Sequence, residues 1–331
     1  MILAVTVGDP AGVGPEIIWK VIRTNKTRKD VSLLCIGAKK PFEKLKVPIV
    51  EASDEPILRD CPKRSEPFVW LLSAPAERSL NKAAIAGFQS GWAIEKAVQL
   101  VQKKIADAIV TAPISKERLQ LGGYNFPGHT ELLAHLCGKN SNEVTMMLAN
   151  SKLRVALVTT HTALSNVPKI LDRKNLRRTI IQTADALTDF WGIKKPKIAV
   201  AALNPHAGEN GLFGNEEKRL IKPEMDYLTR KFSKKFSLAG PLPSDTLFCQ
   251  HLTDGRSPYD AVVCMYHDQG LIPVKLLDFQ RTVNITLGLP IIRTSVDHGV
   301  AFDIAGKGVA DPSSLEAAIE LASRFVRNRK R

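Results

Sequence analysis

Three histidines stand just beyond short apolar runs: VALVTT leads to His161, IAVAALNP to His206 and AVVCMY to His267. A neutral imidazole is a good ligand for a divalent metal, and three of them with a fourth position open form a standard catalytic site. A histidine at a strand end is also a common polar residue with an ordinary hydrogen-bond partner, so none of the three carries the reading alone. Their repeated placement singles them out. The spacing is long, and no HExxH pattern supports a helix-borne zinc site. His129, His135, His251 and His298 complete the set, with His135 in a helical stretch that suits a structural role.

A second group of residues could hold an anion. The segment GHTELLAHL places Gly128-His129-Thr130 at a loop-to-helix junction. Thr130 could cap that helix, and a helix N-terminus attracts negative charge; simple capping fits equally well. Further on, Lys275, Asn284 and Arg293 lie among apolar neighbours. A buried cation needs a partner, either a bound phosphate or carboxylate or a structural ion pair. Asp245 and Asp268 could fix imidazole tautomers, or be solvated loop carboxylates. The glycines of GDPAGVGP, from Gly8, follow a strand and open a helix. They do not spell GxGxxG, and neither a P-loop nor GxSxG occurs, so a tight turn accounts for them.

Such residues need a frame. Short apolar runs at 2–7, 31–36, 108–111, 155–159, 198–203 and 261–265 alternate with amphipathic segments at 15–22, 81–104, 130–136, 173–190, 216–231 and 313–328. That alternation predicts parallel strands joined by helical crossovers. Pro15 suits a first helical turn, and Asp311-Pro312-Ser313-Ser314 is a start signal for the last helix. In open parallel α/β sheets ligands lie beyond the carboxyl ends of the strands, where the three histidines fall. No repeat or low-complexity linker marks a boundary.

Composition narrows the class. The 331 residues suffice for one large or two smaller α/β units. The net charge of +14 is spread along the chain (20–29, 39–46, 231–235 and 324–331), without an RNA- or DNA-binding module. Such a field attracts anionic small molecules and predicts no nucleic-acid partner. No apolar run reaches the ~20 residues of a membrane helix, and the N-terminus reads as a strand rather than an export signal. The five cysteines, Cys35, Cys61, Cys137, Cys249 and Cys264, are scattered without CxxC. They predict thiols in a reducing cytoplasm.

Seven stretches carry a resemblance: VTVGDPAGVGPEI, TAPISKE, FPGHTELLA, VALVTTHTALSNVP, ALNPHAGENGLFGNEE, GPLPSDTLF and the dense region 266–308. In this order they resemble the 4-hydroxythreonine-4-phosphate dehydrogenase family of the pyridoxal phosphate pathway. The match spans nearly the whole chain and is weakest over 26–80.

The resemblance implies two α/β/α lobes around a cleft, similar to the isocitrate and isopropylmalate dehydrogenase fold. The first lobe is expected over 1–125 plus 295–331 and the second, carrying the metal histidines, over 126–294. It implies His161, His206 and His267 as ligands of one divalent metal; zinc suits three imidazoles, with magnesium or cobalt as alternatives. It implies His129, Thr130, Lys275, Asn284 and Arg293 as substrate contacts. Lys275 and His129 are then the candidate catalytic residues, Lys275 as proton shuttle or phosphate clamp. The stretch His298 to Gly306 resembles the cofactor stretch of the related dehydrogenases, which bind NAD without GxGxxG. His298, Gly299 and Asp303 are its candidate contacts, with NAD or NADP as cofactor and Phe302 where those enzymes carry proline.

The implied reaction oxidises the C3 hydroxyl of 4-phosphooxy-L-threonine. The resulting β-keto acid loses CO₂ to give 3-amino-2-oxopropyl phosphate. The implied assembly is a homodimer with the active site at the subunit interface. A sister dehydrogenase acting on another phosphorylated hydroxy acid, such as 4-phospho-erythronate, would share nearly all these motifs. A metal-dependent hydrolase built on the same histidines is a more distant alternative.

Overall fold

The computed structural model describes residues 1–24, 30–52, 62, 66–75, 80–253 and 257–329. Cys61, the residues at 26–29 and the last two of the basic tail lie outside them. The chain divides into two compact units, Met1–Ser141 with Leu289–Arg327, and Asn142–Gly288 with Asn328–Arg331. By that division His129, Thr130 and Arg293 belong to the first unit, and the three expected metal histidines, Lys275 and Asn284 to the second.

The first unit opens with β1 (Ile2–Thr6), α1 (Gly14–Thr24), β2 (Ser32–Gly37), α2 (Lys40–Lys44), β3 (Ile49–Glu51) and β4 (Val69–Ser73). There follow α3 (Lys82–Gln102), β5 (Ala108–Thr111), α4 (Lys116–Leu121) and α5 (His129–Leu136). The second unit holds β6 (Thr145–Ala149), β7 (Arg154–Leu157), α6 (Val167–Ile170), α7 (Arg173–Asp189), β8 (Lys197–Ala201) and α8 (Lys222–Phe232). It continues through β9 (Ser237–Leu242), α9 (Ser244–Thr253), β10 (Ala261–Cys264), α10 (His267–Leu277) and β11 (Val283–Leu287). The chain then supplies β12 (Arg293–Val296) and α11 (Ser313–Arg329).

In the first unit the strands run β3-β4-β2-β1-β5-β12, and every pairing is parallel. Leu3, Val5, Leu34, Ile36, Ile109 and Val110 are fully buried. Such runs are the signature of parallel strands covered on both faces by helices. Asn81 starts α3 by accepting hydrogen bonds from the backbone N–H of Ala83 and Ala84, a polar cap at the end of a long buried helix.

The second unit departs from the all-parallel expectation. Its order is β11-β6-β7-β10-β8-β9, and β6 pairs antiparallel with both β11 and β7. The cause is the tight turn between β6 and β7. The Asn150 side-chain oxygen accepts from the N–H of Lys152 and of Leu153, both at 2.9 Å. An asparagine turn this short joins only antiparallel strands. From β7 to β9 the pairing is parallel. The core here gathers Leu148, Val155, Leu157, Val262, Cys264 and Leu271.

Because β7, β10 and β8 are parallel neighbours, their carboxyl ends share one edge of the sheet. Chain order alone therefore delivers His161, His267 and His206 to that edge.

Candidate active site

The first unit builds a pocket that is rich in positive charge. Arg293 opens β12, is 3% exposed, and donates through Nη2 to Thr111 Oγ1 at 2.8 Å. Thr111 ends the neighbouring β5, so the pairing of β12 with β5 sets this contact. Burial pushes the guanidinium pKa down to about 9, against the opposing charge of Glu131. His129 begins α5, and its Nε2 is shielded from solvent with no hydrogen-bond partner among the described residues. Burial, then the nearby charges of Arg293 and Lys116, hold its pKa well below the usual histidine value. The ring is neutral at physiological pH.

A neutral histidine pressed by two cations, with a shielded nitrogen, calls for an anion. A phosphate or carboxylate entering here would accept from Arg293 and Lys116, and from His129 in the tautomer protonated at Nε2. Lys116 and Thr111 come from the TAPISKE stretch, yet neither stands out from its residue type or spacing. The signal that could have found them is their position at and beyond the carboxyl end of β5. Thr130 does not cap α5. Gly128 occupies that position without a side-chain hydrogen bond, and Thr130 sits half-buried in the first turn.

The loop from His298 onward packs on the β1–α1 turn. Val13 N–H donates to Val300 O at 3.0 Å, and a Cβ on Gly12 would stand 2.8 Å from that same oxygen. Glycine at 12 is therefore needed for close approach. Glu16 accepts from the N–H of Gly306 at 3.0 Å and of Ala310 at 2.9 Å. The Nδ1 of His298 lies 3.0 Å from Gly299 O, while its Nε2 is buried without a partner among the described residues. Gly299 and Asp303 are exposed. Phe302 lies under the Arg118 guanidinium, 4.2 Å from ring centroid to Cζ, and Arg118 also pairs with buried Asp9 at 3.1 Å. An aromatic ring at 302 is thus an anchor for the arginine.

In the second unit His161 and His267 come together, with ring centroids 5.5 Å apart. They border a cavity of about 450 Å³ lined also by Thr160, Leu164, Val167 and Tyr266. His267 Nδ1 lies 2.6 Å from Asp268 Oδ1. An ionised carboxylate only accepts, so the proton sits on Nδ1 and Nε2 keeps its lone pair for a metal. Asp245, the other carboxylate considered, is exposed at the start of α9.

His206 is not gathered with this pair. Among the described residues no group of three His, Cys, Asp or Glu side chains stands close enough to hold a metal. The physical reason is local. His206 opens five consecutive residues in the left-handed region (His206, Ala207, Gly208, Glu209 and Asn210), and its exposed ring faces Phe213 at 6.1 Å. Left-handed backbone at non-glycine positions persists only where the surroundings impose it. Buried Glu217 does so, accepting from the N–H of Leu203 and Asn204 at 2.8 Å each.

Buried Gln269 ties the edge together. It accepts from Met265 N–H at 2.6 Å and donates to Ala202 O at 2.6 Å and Ser244 Oγ at 2.8 Å. One side chain thus joins the chain leaving β10 to the chain leaving β8. Lys275, in the last turn of α10, is half-buried with its Nζ 5.5 Å from the Phe279 ring centroid. Asn284 is half-buried on β11, opposite Leu148.

The two imidazoles, with an acid fixing one tautomer, suit two ligands of a divalent cation. The donor set is nitrogen-rich, which favours zinc or cobalt over magnesium.

Comparison with known proteins agrees with these features. The family model described as pyridoxal phosphate biosynthetic protein PdxA matches residues 60–322. The chain is 47% identical to a putative D-threonate 4-phosphate dehydrogenase of Bradyrhizobium diazoefficiens, over 98% of this chain and 96% of that one. It is 43% identical to a 4-hydroxythreonine-4-phosphate dehydrogenase of Desulfosudis oleivorans, over 97% and 95%. A crystal structure of the 4-hydroxythreonine-4-phosphate dehydrogenase of Klebsiella pneumoniae superposes with a TM-score of 0.85 at 38% identity, over 98% and 99% of the chains. At the level of fold alone, a β-decarboxylating dehydrogenase of Thermococcus kodakarensis matches with a TM-score of 0.51 at 14% identity, over 99% and 83%. The chain belongs to the PdxA family of pyridoxal phosphate biosynthetic proteins.

Proposed function

We propose that this chain is a metal-requiring, NAD(P)-dependent dehydrogenase that oxidises 4-phosphooxy-L-threonine at its C3 hydroxyl. The β-keto acid so formed loses CO₂ to give 3-amino-2-oxopropyl phosphate, a step toward pyridoxal phosphate. The observation that carries the reading is the anion pocket of Arg293, His129 and Lys116, which suits the substrate's phosphate or carboxylate. Family membership supplies the reaction type.

In this reading Arg293 and Lys116 neutralise the anionic group, and Thr111 holds the guanidinium in place for it. His129 donates from Nε2 as a neutral group. Fixed donors of this kind orient the substrate without reorganising, which supplies several kcal/mol of the barrier. Lys275 moves the proton of the reacting hydroxyl or clamps a negative group, Asn284 orients the substrate, and Thr130 adds a contact from α5. His161 and His267 hold the divalent cation, zinc or cobalt by donor type, with His206 as third ligand. That cation supplies polarisation of the substrate's hydroxyl and carbonyl oxygens when bound. His298, Gly299 and Asp303 contact the nicotinamide cofactor.

The functional unit is proposed to be a homodimer with active sites at the subunit interface. In support, α10 and the turn after it leave Ile272, Leu276 and Phe279 exposed at 57%, 82% and 63%. Apolar side chains this close in sequence are the kind a second copy covers. No described helix is long and apolar enough to cross a membrane. The cytoplasm, where pyridoxal phosphate precursors and nicotinamide cofactors are available, is the proposed location.

A second reading has one specific observation in its favour: the 47% identical relative is named for D-threonate 4-phosphate. Both substrates carry a phosphate and a neighbouring hydroxyl. Parallel assays of nicotinamide reduction separate them. The proposal expects kcat/KM for 4-phosphooxy-L-threonine to exceed that for D-threonate 4-phosphate by at least about 10-fold. The opposite ratio would give the chain to the second substrate.

A further inference from the structure

Loops leaving three strands of the first unit meet over one pocket of about 820 Å³. Pro10 to Gly12 follow β1, Ala38 and Lys40 follow β2, and Arg118 lies beyond β5. From β1 the chain moves outward to β2 and β4, then returns to place β5 on the other side of β1. The carboxyl edge at such a reversal is where open α/β sheets take their ligands. The volume suits a small organic molecule. Ala305 and Gly306, at the end of the stretch proposed to meet the cofactor, line the same pocket.

The charge of this pocket is one-sided. Lys40, Lys44, Lys82 and Arg118 line it, and Glu16 is the one lining carboxylate among the described residues. Glu16 is already engaged by two backbone N–H groups and by Lys20 at 3.1 Å. Arg118 is engaged by Asp9 and Phe302. Next to the pocket, Lys39 absorbs the two nearby acids, pairing with Glu51 at 2.5 Å and Glu43 at 3.6 Å. Lys40, Lys44 and Lys82 are exposed and make no ion pair among the described residues. Lys40 and Lys44 stand four residues apart on α2, on one face of its single turn.

A dinucleotide pocket declares its preference just past the second strand. A carboxylate there hydrogen-bonds the ribose diol of NAD, whereas a cation accommodates the 2′-phosphate of NADP. The residues past β2 here are Ala38, Lys39 and Lys40, and no unengaged carboxylate among the described residues lines the pocket. We infer that this pocket takes the adenosine end of the cofactor and that Lys40, Lys44 and Lys82 receive a 2′-phosphate, making the chain selective for NADP over NAD. Apolar Leu45, Ile85 and Ala86 offer a surface for the purine. The inference rests on the dehydrogenase reading for the identity of its ligand, and on the pocket alone for the preference.

The test is direct binding, without turnover. Isothermal titration of the purified full chain with adenosine 2′,5′-bisphosphate and with 5′-AMP isolates the contribution of the 2′-phosphate. The expected result is at least 10-fold tighter binding of the 2′-phosphorylated probe, since charge-assisted contacts of this type carry about that much. In the double variant K40E/K44E the ratio of the two affinities should fall to near one, with circular dichroism reporting the fold. In K82Q it should fall by a smaller factor. Equal binding of the two probes by the wild-type protein, or a preference that survives in K40E/K44E, overturns the inference. Nicotinamide reduction separates this inference from the dehydrogenase reading. Equal use of NAD and NADP with active turnover would sink the selectivity and leave the dehydrogenase standing. Selective binding of the bisphosphate with no reduction of NADP on any phosphorylated hydroxy acid would sink the dehydrogenase and leave the selectivity.

Discussion

Asp268 holds the ring of its own neighbour: its Oδ1 lies 2.6 Å from His267 Nδ1. The contact assigns one nitrogen of the imidazole to the protein and presents the other to the cavity shared with His161. Partners of this type typically contribute 10–100-fold to metal affinity. Asp268→Asn should therefore weaken zinc or cobalt binding by about that factor in a competitive chelator titration. Unchanged affinity would remove His267 from the metal site.

Arg293 is the group on which the anion pocket turns. Arg293→Met should lower kcat/KM by about 100-fold or more, the scale of a lost charge-assisted bidentate contact. Arg293→Lys should recover little, because an ammonium cannot both hold Thr111 and present a fork. Inorganic phosphate should raise the melting temperature of the wild-type protein and leave that of Arg293→Met unmoved, since a ligand stabilises only the state that binds it. A phosphate-dependent shift in the variant would count against the assignment.

His129 ties stability to pH. Its folded pKa lies well below the ordinary histidine value of 6.5. Between that folded value and 6.5 the unfolded chain binds a proton that the folded chain refuses, so stability rises with pH across this window. The contribution is fully present above about 6.5 and is lost as pH falls below it. Urea midpoints taken from about pH 7 to about pH 5 should decline more steeply for the wild type than for His129→Gln. Parallel declines would show that the ring is not held neutral by its surroundings.

Gln269 acts through position. Gln269→Leu would leave Met265 N–H and Ala202 O without this side chain, costing about 2–4 kcal/mol of stability for two buried backbone groups. Metal affinity should fall with it, because the chains leading to His267 and His206 lose their tie. A variant destabilised by that amount with unaltered metal affinity would make Gln269 purely structural.

Much of the frame is legible because its strands are apolar runs. ILAVT, AIVT and AVVC read as buried parallel strands, and they are. Other strands are illegible for identifiable reasons. RTSV of β12 is buried yet mostly polar, since its side chains serve the anion pocket and the contact of Thr294 with α11. SLAGPL of β9 carries Gly-Pro, tolerated on an edge. The β6–β7 hairpin hides in NSKL, where the turn depends on one asparagine side chain. The helix α10 contains Gly270 and Pro273, which argue against a helix locally. Of the chemistry, the placing of histidines beyond parallel strands can be read from spacing. The left-handed turn that carries His206 away cannot, because it is imposed by Glu217 from a later turn.

The central claim is that the protein oxidises a phosphorylated hydroxy acid whose anionic group is gripped by a buried cation pocket. Turnover of 4-phosphooxy-L-threonine against its dephosphorylated counterpart, 4-hydroxy-L-threonine, tests this most directly, with zinc or cobalt and NADP present. Nicotinamide reduction is expected with the phosphorylated substrate, and a kcat/KM at least about 10³-fold lower without the phosphate, as follows when a multiply charge-assisted contact is lost. Comparable turnover of the two, or none with the phosphorylated compound, would contradict it.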